Sequence, residues 1–169
     1  GKKFLGIPVL YNGVLLDIRR YNVLKHDGMP KMIGNANTET GMVIPYDTWK
    51  SDSEVTYIFE GEKDMLIGRE LGLNAITLTG GASATPNELV INDFKGKEVI
   101  VCYDNDHAGK EGMLGVYKAL HKIVKSIRYI DIADVVQNEK EDLHDAVTKY
   151  ELDAFTFSIL KERDFSREV

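Results

Sequence analysis

The stretch Val99–Gly112, VIVCYDNDHAGKEG, decides the fold. An apolar run of strand length stops at two aspartates one residue apart, Asp104 and Asp106, and a glycine and a lysine, Gly109 and Lys110, follow closely. Like charges repel and each carboxylate resists losing water. Such a pair at the tip of a buried strand is therefore explained by a cation, or by a helix start that Asp106 caps. Outward from this stretch the pattern recurs. VTYIF ends at Glu60, AITLT at Gly80 and IRYIDI at Ala133, while KDMLIGRELG, AGKEGMLGVYKALHKIV and DLHDAVTKYE have helical spacing. TPNELVINDF adds an expected helix with Thr85 as N-cap, Pro86 in the first position and Glu88 completing a capping box. Strands buried on both faces read as unbroken apolar runs, and their alternation with helices is the pattern of βαβ units around a parallel sheet.

Upstream the reading changes. IPVLY and VLLDIRRY flank Asn12-Gly13, a dipeptide that tolerates positive φ and favours a two-residue hairpin turn. KHDGMPKMIGNANTETG is a polar, glycine-rich loop stretch, MVIPY another short strand, and the polar DTWKSDSE the candidate boundary. The expected organisation is a small β-rich basic subdomain over 1–53, an α/β unit with a Rossmann-like parallel sheet over 54–150, and a C-terminal helix and tether over 151–169.

In open parallel sheets ligands bind beyond the carboxyl ends of the strands. Glu60 stands at one such tip, with Gly61 and Glu62 leading into a helix that carries Asp64; Asp104 and Asp106 stand at another. EDLHD brings Glu141, Asp142 and Asp145 to a helix start after a third. Asp106, Asp142 and Asp145 have an alternative duty as caps or dipole partners. Glu60, closing an apolar strand before a glycine, has none. Acidic groups at three strand ends on one sheet edge favour a metal site, and all-oxygen ligands favour Mg²⁺ or Mn²⁺ over zinc. His107 and His144 read as surface residues beside the aspartates. The TLTGGASA loop has neither the lysine nor the spacing of the common phosphate loops, so Gly80 and Gly81 read as a tight turn whose amides could still meet a phosphate.

The 169 residues are 43% hydrophobic and 28% charged, ordinary for a globular protein long enough to bury a core. No apolar run approaches a membrane span and no signal peptide is evident, so a cytoplasmic location with no membrane partner is expected. A net charge of −6 argues against a broadly basic surface but does not exclude nucleic acid, because a cluster of metal-binding carboxylates can account for much of that excess and bound ions would reverse its sign locally. Cys102, the single cysteine, rules out an internal disulfide and reads as a small core residue. A chain that starts at Gly1 reads as part of a longer protein.

FEGEKD, then VCYDNDHAG, then KEDLHD resembles the Toprim domain of DnaG-type primases, phage primase-helicases, topoisomerases and several nucleases. The likeness is greatest to the primase branch, where the motifs take forms like EGxxD, TLTGGAS and YDxDxAG. The resemblance extends upstream, because DnaG-type primases place a small β subdomain there, with an arginine-bearing strand, a turn and a Pro-Lys pair; LDIRRYNVLKHDGMPKMI is similar in order and spacing. It implies synthesis of RNA primers on single-stranded DNA from nucleoside triphosphates in DNA replication, with Glu60, Asp104 and Asp106 catalytic. It implies Mg²⁺ or Mn²⁺ at Glu60, Asp64, Asp104, Asp106, Asp142 and Asp145. Arg19, Arg20, Lys31, Lys63, Gly80, Gly81 and Lys110 are the candidates for handling template or nucleotide phosphates. No zinc module or helicase part is present in these residues, so the expectation is a monomeric catalytic core that works with a replicative helicase, fused or separate. Tyr103 reads as packing. A metal-dependent Toprim nuclease, of the overcoming-lysogenization or ribosomal RNA maturase kind, and a non-catalytic nucleic-acid-binding module are the alternatives.

Overall fold

The computed structural model describes residues 2–50, 54–138 and 141–165. The expected boundary at 53/54 falls partly outside the described residues, as do Lys140 of the third acidic motif and the end of the tether.

Among the described residues two sheets form. The smaller has the order β1-β2-β3, built from β1 (Leu5–Tyr11), β2 (Val14–Tyr21) and β3 (Met32–Ile33), all antiparallel. Asn12 and Gly13 turn the first hairpin with φ of 50° and 77°, the left-handed pair that a two-residue turn requires. The larger sheet contains β4 (Val43–Ile44), β5 (Val55–Phe59), β6 (Ala75–Leu78), β7 (Glu98–Cys102), β8 (Ser126–Ile130) and β9 (Glu162–Asp164). Its order is β4-β6-β5-β7-β8-β9, with four parallel central strands and an antiparallel strand at each edge. The helices are α1 (Tyr46–Lys50), α2 (Glu62–Glu70), α3 (His107–Leu120), α4 (Leu143–Lys149) and α5 (Ala154–Ser158).

Strand alternation sorts the helices onto two faces. Thr56 accepts a hydrogen bond from Trp49 of α1 at 2.9 Å on one face, while Tyr57 and Phe59 meet Phe157 of α5 on the other, with Gly68 of α2 pressed against the Phe59 ring. The strand order reverses between β5 and β7: the chain leaves β5 for β6 on one side and leaves β7 for β8 on the other. That switch point is where an open parallel sheet forms its crevice.

Three expectations change. Thr85–Phe94 is not an α-helix; a turn leads into a short 3₁₀ helix, Ile91–Phe94. The segment is instead drawn onto the loop before β4, where the Asn87 N–H donates to the Gly41 carbonyl at 2.9 Å and its side-chain amide to the Thr40 carbonyl at 3.1 Å. MVIPY, assigned to the small β subdomain, contributes β4 to the large sheet, pairing with β6. The C-terminal stretch adds the strand β9 to a short helix, an edge strand of Glu, Arg and Asp with no apolar signal, as suits an edge that must not recruit another chain.

Gly41 shows how tightly the loop before β4 is fitted. Its φ is +75°, and a Cβ there would lie 2.1 Å from the Thr85 carbonyl oxygen. Left-handed strain of roughly 1–2 kcal/mol and overpacking of about 1–3 kcal/mol add, so Gly41→Ala is expected to lower the melting temperature by about 10 °C. Thermal denaturation followed by circular dichroism measures it, and an unchanged melting temperature contradicts this account.

Candidate active site

Glu60 directly follows β5, and Asp104 follows β7 after Tyr103, so two acidic strand ends are neighbours at the switch point. The Asp104 backbone N–H donates to Glu60 Oε2 at 3.3 Å. Gly109 in the first turn of α3 closes this corner: a Cβ there would meet the Asp104 carbonyl at 2.2 Å and Glu60 Oε2 at 3.0 Å. A residue with any side chain would push α3 off the acidic corner, which accounts for the glycine in YDNDHAG.

Asp64, in the first turn of α2, is only 5% exposed, and its Oδ1 is buried with no hydrogen-bond partner among the described residues. A crevice walled by Phe59, Ile132 and Leu143 runs past Asp64 and Asp104, and these apolar groups keep water from the carboxylates. Burial pushes Asp64 up to about 7, with the charges of Asp142 and Asp104 adding and Lys63 and Lys31 opposing. Burial likewise pushes Glu60 up to about 7, with Asp104 adding and the Asp104 backbone N–H opposing. Asp104 is raised by burial first, then by Asp142 and Asp106. Glu60, Asp64, Asp104, Asp106 and Asp142 are thus one electrostatic group. Perturbed carboxyls gathered in a crevice are the mark of a functional site.

The caps foreseen as alternatives also exist. Asp106 accepts the Gly109 N–H at 2.8 Å as N-cap of α3, and Asp142 and Asp145 form a reciprocal capping box on α4. Asp142 Oδ2 further meets Lys63 Nζ at 2.5 Å. Burial alone would raise Asp142, but that ammonium and the Asp145 N–H outweigh it and hold it below its ordinary value. Asp145 pairs with Lys149 at 3.0 Å. Glu141 is fully engaged as a structural carboxylate, accepting from Lys149, Tyr150 and the Gln137 and Asn138 N–H groups. Among the described residues the trio whose ligand atoms all lie within 4.8 Å is Asp142, His144 and Asp145; Glu60, Asp64 and Asp104 are spread more widely.

The basic candidates divide. Arg19 Nε donates to Glu62 at 3.1 Å, tying β2 to the start of α2 through a pair that is mostly buried. Arg20 is exposed and reaches Asn35 at 3.2 Å. Lys31 and Lys63 line a groove of about 560 Å³ with Tyr21, Lys25 and His26, and the Lys31 charge bears on Glu60, Asp64 and Asp104. Lys110 is exposed on α3. Gly80 and Gly81 adopt φ of 110° and 74° in a tight turn, and the following Ala82 carbonyl lies against Gly112 of α3. Cys102, Tyr103 and the exposed His107 stand as expected, the first two in the core.

Two roles escaped the sequence reading. Glu62, the partner of Arg19, looks like any acidic residue in a first helical turn. Asn22, 5% exposed, organises the groove loop: its Oδ1 accepts the His26 N–H at 2.9 Å and its amide faces the His26 and Met29 carbonyls. A signal for it lay in the sequence, since an asparagine opening a glycine-rich loop often bonds to that loop's backbone.

A doubly wound α/β unit with partly buried carboxyls at its switch point, joined to a small antiparallel sheet, defines the fold class. The Toprim-like family profile matches residues 57–147, more than half of the chain. The chain belongs to the Toprim-like family. A DNA primase of Enterococcus faecalis (strain ATCC 700802 / V583) is 25% identical over 136 residues, 76% of this chain and 21% of that protein. The chain thus spans about a fifth of the length of that curated relative. The RNA polymerase domain of the Mycobacterium tuberculosis primase DnaG superposes with a TM-score of 0.69 at 17% identity, covering 95% of this chain and 55% of that one. A DNA primase domain from Pseudomonas aeruginosa gives 0.69 at 18%, covering 95% and 52%. The fold, small sheet included, is therefore that of primase polymerase domains. Among the described residues no helix is long and apolar enough to cross a membrane.

Proposed function

We propose that the chain is the catalytic core of a primer-synthesising RNA polymerase, joining nucleoside triphosphates on a single-stranded DNA template during replication. The observation that carries this reading is the meeting of an acidic corner, the buried Asp64 with the half-buried Glu60 and Asp104, with the groove lined by Lys25, Lys31 and Lys63. Residues 1–53 supply most of that basic side and 54–150 the acidic one, the division we propose for the chain, with the C-terminal stretch packed on as a tether.

The donor set fits a hard divalent ion. It is all carboxylate, and Asp64 Oδ1, buried at the cost of desolvation and without a partner among the described residues, is an oxygen held ready for a cation. Glu60, Asp64, Asp104 and Asp106 would hold Mg²⁺ or Mn²⁺, with Asp142 and Asp145 at the margin. Bound there, the ion supplies neutralisation of the charge that builds on phosphate oxygens during transfer. The chain's own residues do the rest. Glu60 serves there either as a further ligand or as the base that takes the proton of an attacking 3′-hydroxyl, and Phe59, Ile132 and Leu143 keep water from Asp64 and Asp104. Lys25, Lys31 and Arg20 would attract the template strand or triphosphate, while the Gly80–Gly81 turn and Lys110 border the opposite side.

The direct test incubates the chain with single-stranded DNA, ribonucleoside triphosphates and Mn²⁺ or Mg²⁺, and resolves the products on a gel. Short RNA products that require both template and triphosphates are expected. Strand cleavage without any triphosphate requirement would instead identify a nuclease. The helicase partner is a proposal of the same reading, tested by co-sedimentation with a replicative helicase.

A further inference from the structure

The acidic edge is divided by its lysines. Both oxygens of Asp142 are committed, Oδ1 to the Asp145 N–H at 3.0 Å and Oδ2 to Lys63 Nζ at 2.5 Å. Asp145 is committed likewise, to the Asp142 N–H and to Lys149. So the trio Asp142, His144 and Asp145, the tightest set of ligand atoms among the described residues, already holds two ammonium groups. The half formed by Glu60, Asp64 and Asp104 differs: among the described residues no lysine or arginine lies within ion-pair distance of any of the three, and Asp64 Oδ1 has no partner at all. Lys63 and Asp64 are adjacent on α2, so the helix gives one fixed positive charge to Asp142 and carries on the next residue a buried carboxylate oxygen without a partner among the described residues. The Lys63–Asp142 pair is mostly buried, with side chains 24% and 20% exposed, and an ammonium is a compact point charge able to stand where a small cation would.

We propose that Lys63 is a resident cation of the site: it holds the place of a second divalent ion against Asp142, so the chain loads one ion and uses Lys63 to position the third acidic motif. This rests on the divalent-ion reading given above. A bare divalent ion at Asp142 would require Lys63 to leave, and Lys63 is anchored at the start of a helix whose first residue, Glu62, is itself pinned by Arg19.

Mn²⁺ titration of the full chain, by calorimetry and by electron paramagnetic resonance of the free ion, tests the idea without an activity assay. The wild type is expected to bind one Mn²⁺ per chain. Lys63→Met is expected to bind two, the added ion at least tenfold tighter than any second binding to the wild type, and Asp142→Asn in that background returns the count to one. Lys63→Arg, which keeps the charge, keeps the count at one. If Lys63→Met is folded and binds Mn²⁺ like the wild type, or if the wild type already binds two ions, the proposal is wrong while the divalent-ion reading stands. A purely structural Lys63 lowers the melting temperature and leaves the count unchanged, which also overturns the proposal. If no variant binds Mn²⁺, the divalent-ion reading falls and the proposal with it. Should Lys63→Met fail to fold, Lys63→Gln retains a hydrogen-bond donor without the charge and is read in the same way.

Discussion

Asp104→Ala is expected to reduce metal-dependent primer synthesis by at least about 10³-fold, on the order of 4 kcal/mol of transition-state stabilisation, while leaving the chain folded and no less stable. The two halves of that result have separate causes. Asp104 is raised by burial and by the charges of Asp142 and Asp106, and among the described hydrogen bonds its carboxylate accepts none, so the fold gains nothing from it. Its backbone N–H, which does hold Glu60, survives the substitution. A residue that strains the fold and yet sits at the switch point is expected to matter to chemistry alone. Gel assays of primer formation together with thermal denaturation measure both halves. Undiminished synthesis would remove Asp104 from the mechanism, and a large stability loss would make it a structural residue.

The second large effect is on stability and its dependence on pH. The carboxyls of Glu60 and Asp64 titrate near 7 in the folded chain, against ordinary values of 4.5 and 3.8. Between these limits the folded chain keeps protons that the unfolded chain has released, so stability falls as pH rises from about 4 to about 7 and levels off above. At roughly 1.4 kcal/mol per pKa unit, and with Glu60 discounted for its contact with solvent, the loss is about 3–5 kcal/mol in EDTA. Glu141 and Asp142 are lowered instead, so their contribution is lost only as pH falls below about 4, outside this window. Mn²⁺ or Mg²⁺ competes with protons for the same oxygens and is expected to stabilise the chain far more at pH 8 than at pH 5.5. Denaturant titrations across pH, with EDTA and with added metal, measure both slopes. A melting temperature that climbs with pH in EDTA would contradict the placement of these two carboxyls.

The acidic corner was legible because everything that builds it is local in sequence. VTYIF and EVIVCY announce their own ends, and the switch-point rule places Glu60 and Asp104 side by side once the strands are known to be parallel. Asn12-Gly13 was legible for the same reason. What the chain concealed depends on partners far along it. Arg19 finds Glu62 across 43 residues and Lys63 finds Asp142 across 79, and a surface charge and a buried partner are spelled with the same letter. The capping signals at Thr85 and Glu88 are sound as local chemistry, but the backbone at Gly41 competes for Asn87 and wins. β9 carries three charged residues and no apolar pattern, since an edge strand needs only backbone hydrogen bonds on one side.

Glu62, Lys63 and Asp64 occupy successive positions in one helical turn and face three different bodies: the small sheet through Arg19, the start of α4 through Asp142, and the acidic corner. That turn is a mechanical junction. The small sheet reaches this turn through Glu62 and α4 reaches it through Lys63, so both are tied to the peptide units that carry Asp64. Substitutions at Arg19 and at Asp142, though they lie on separate elements, are therefore expected to be energetically coupled in a double-mutant cycle.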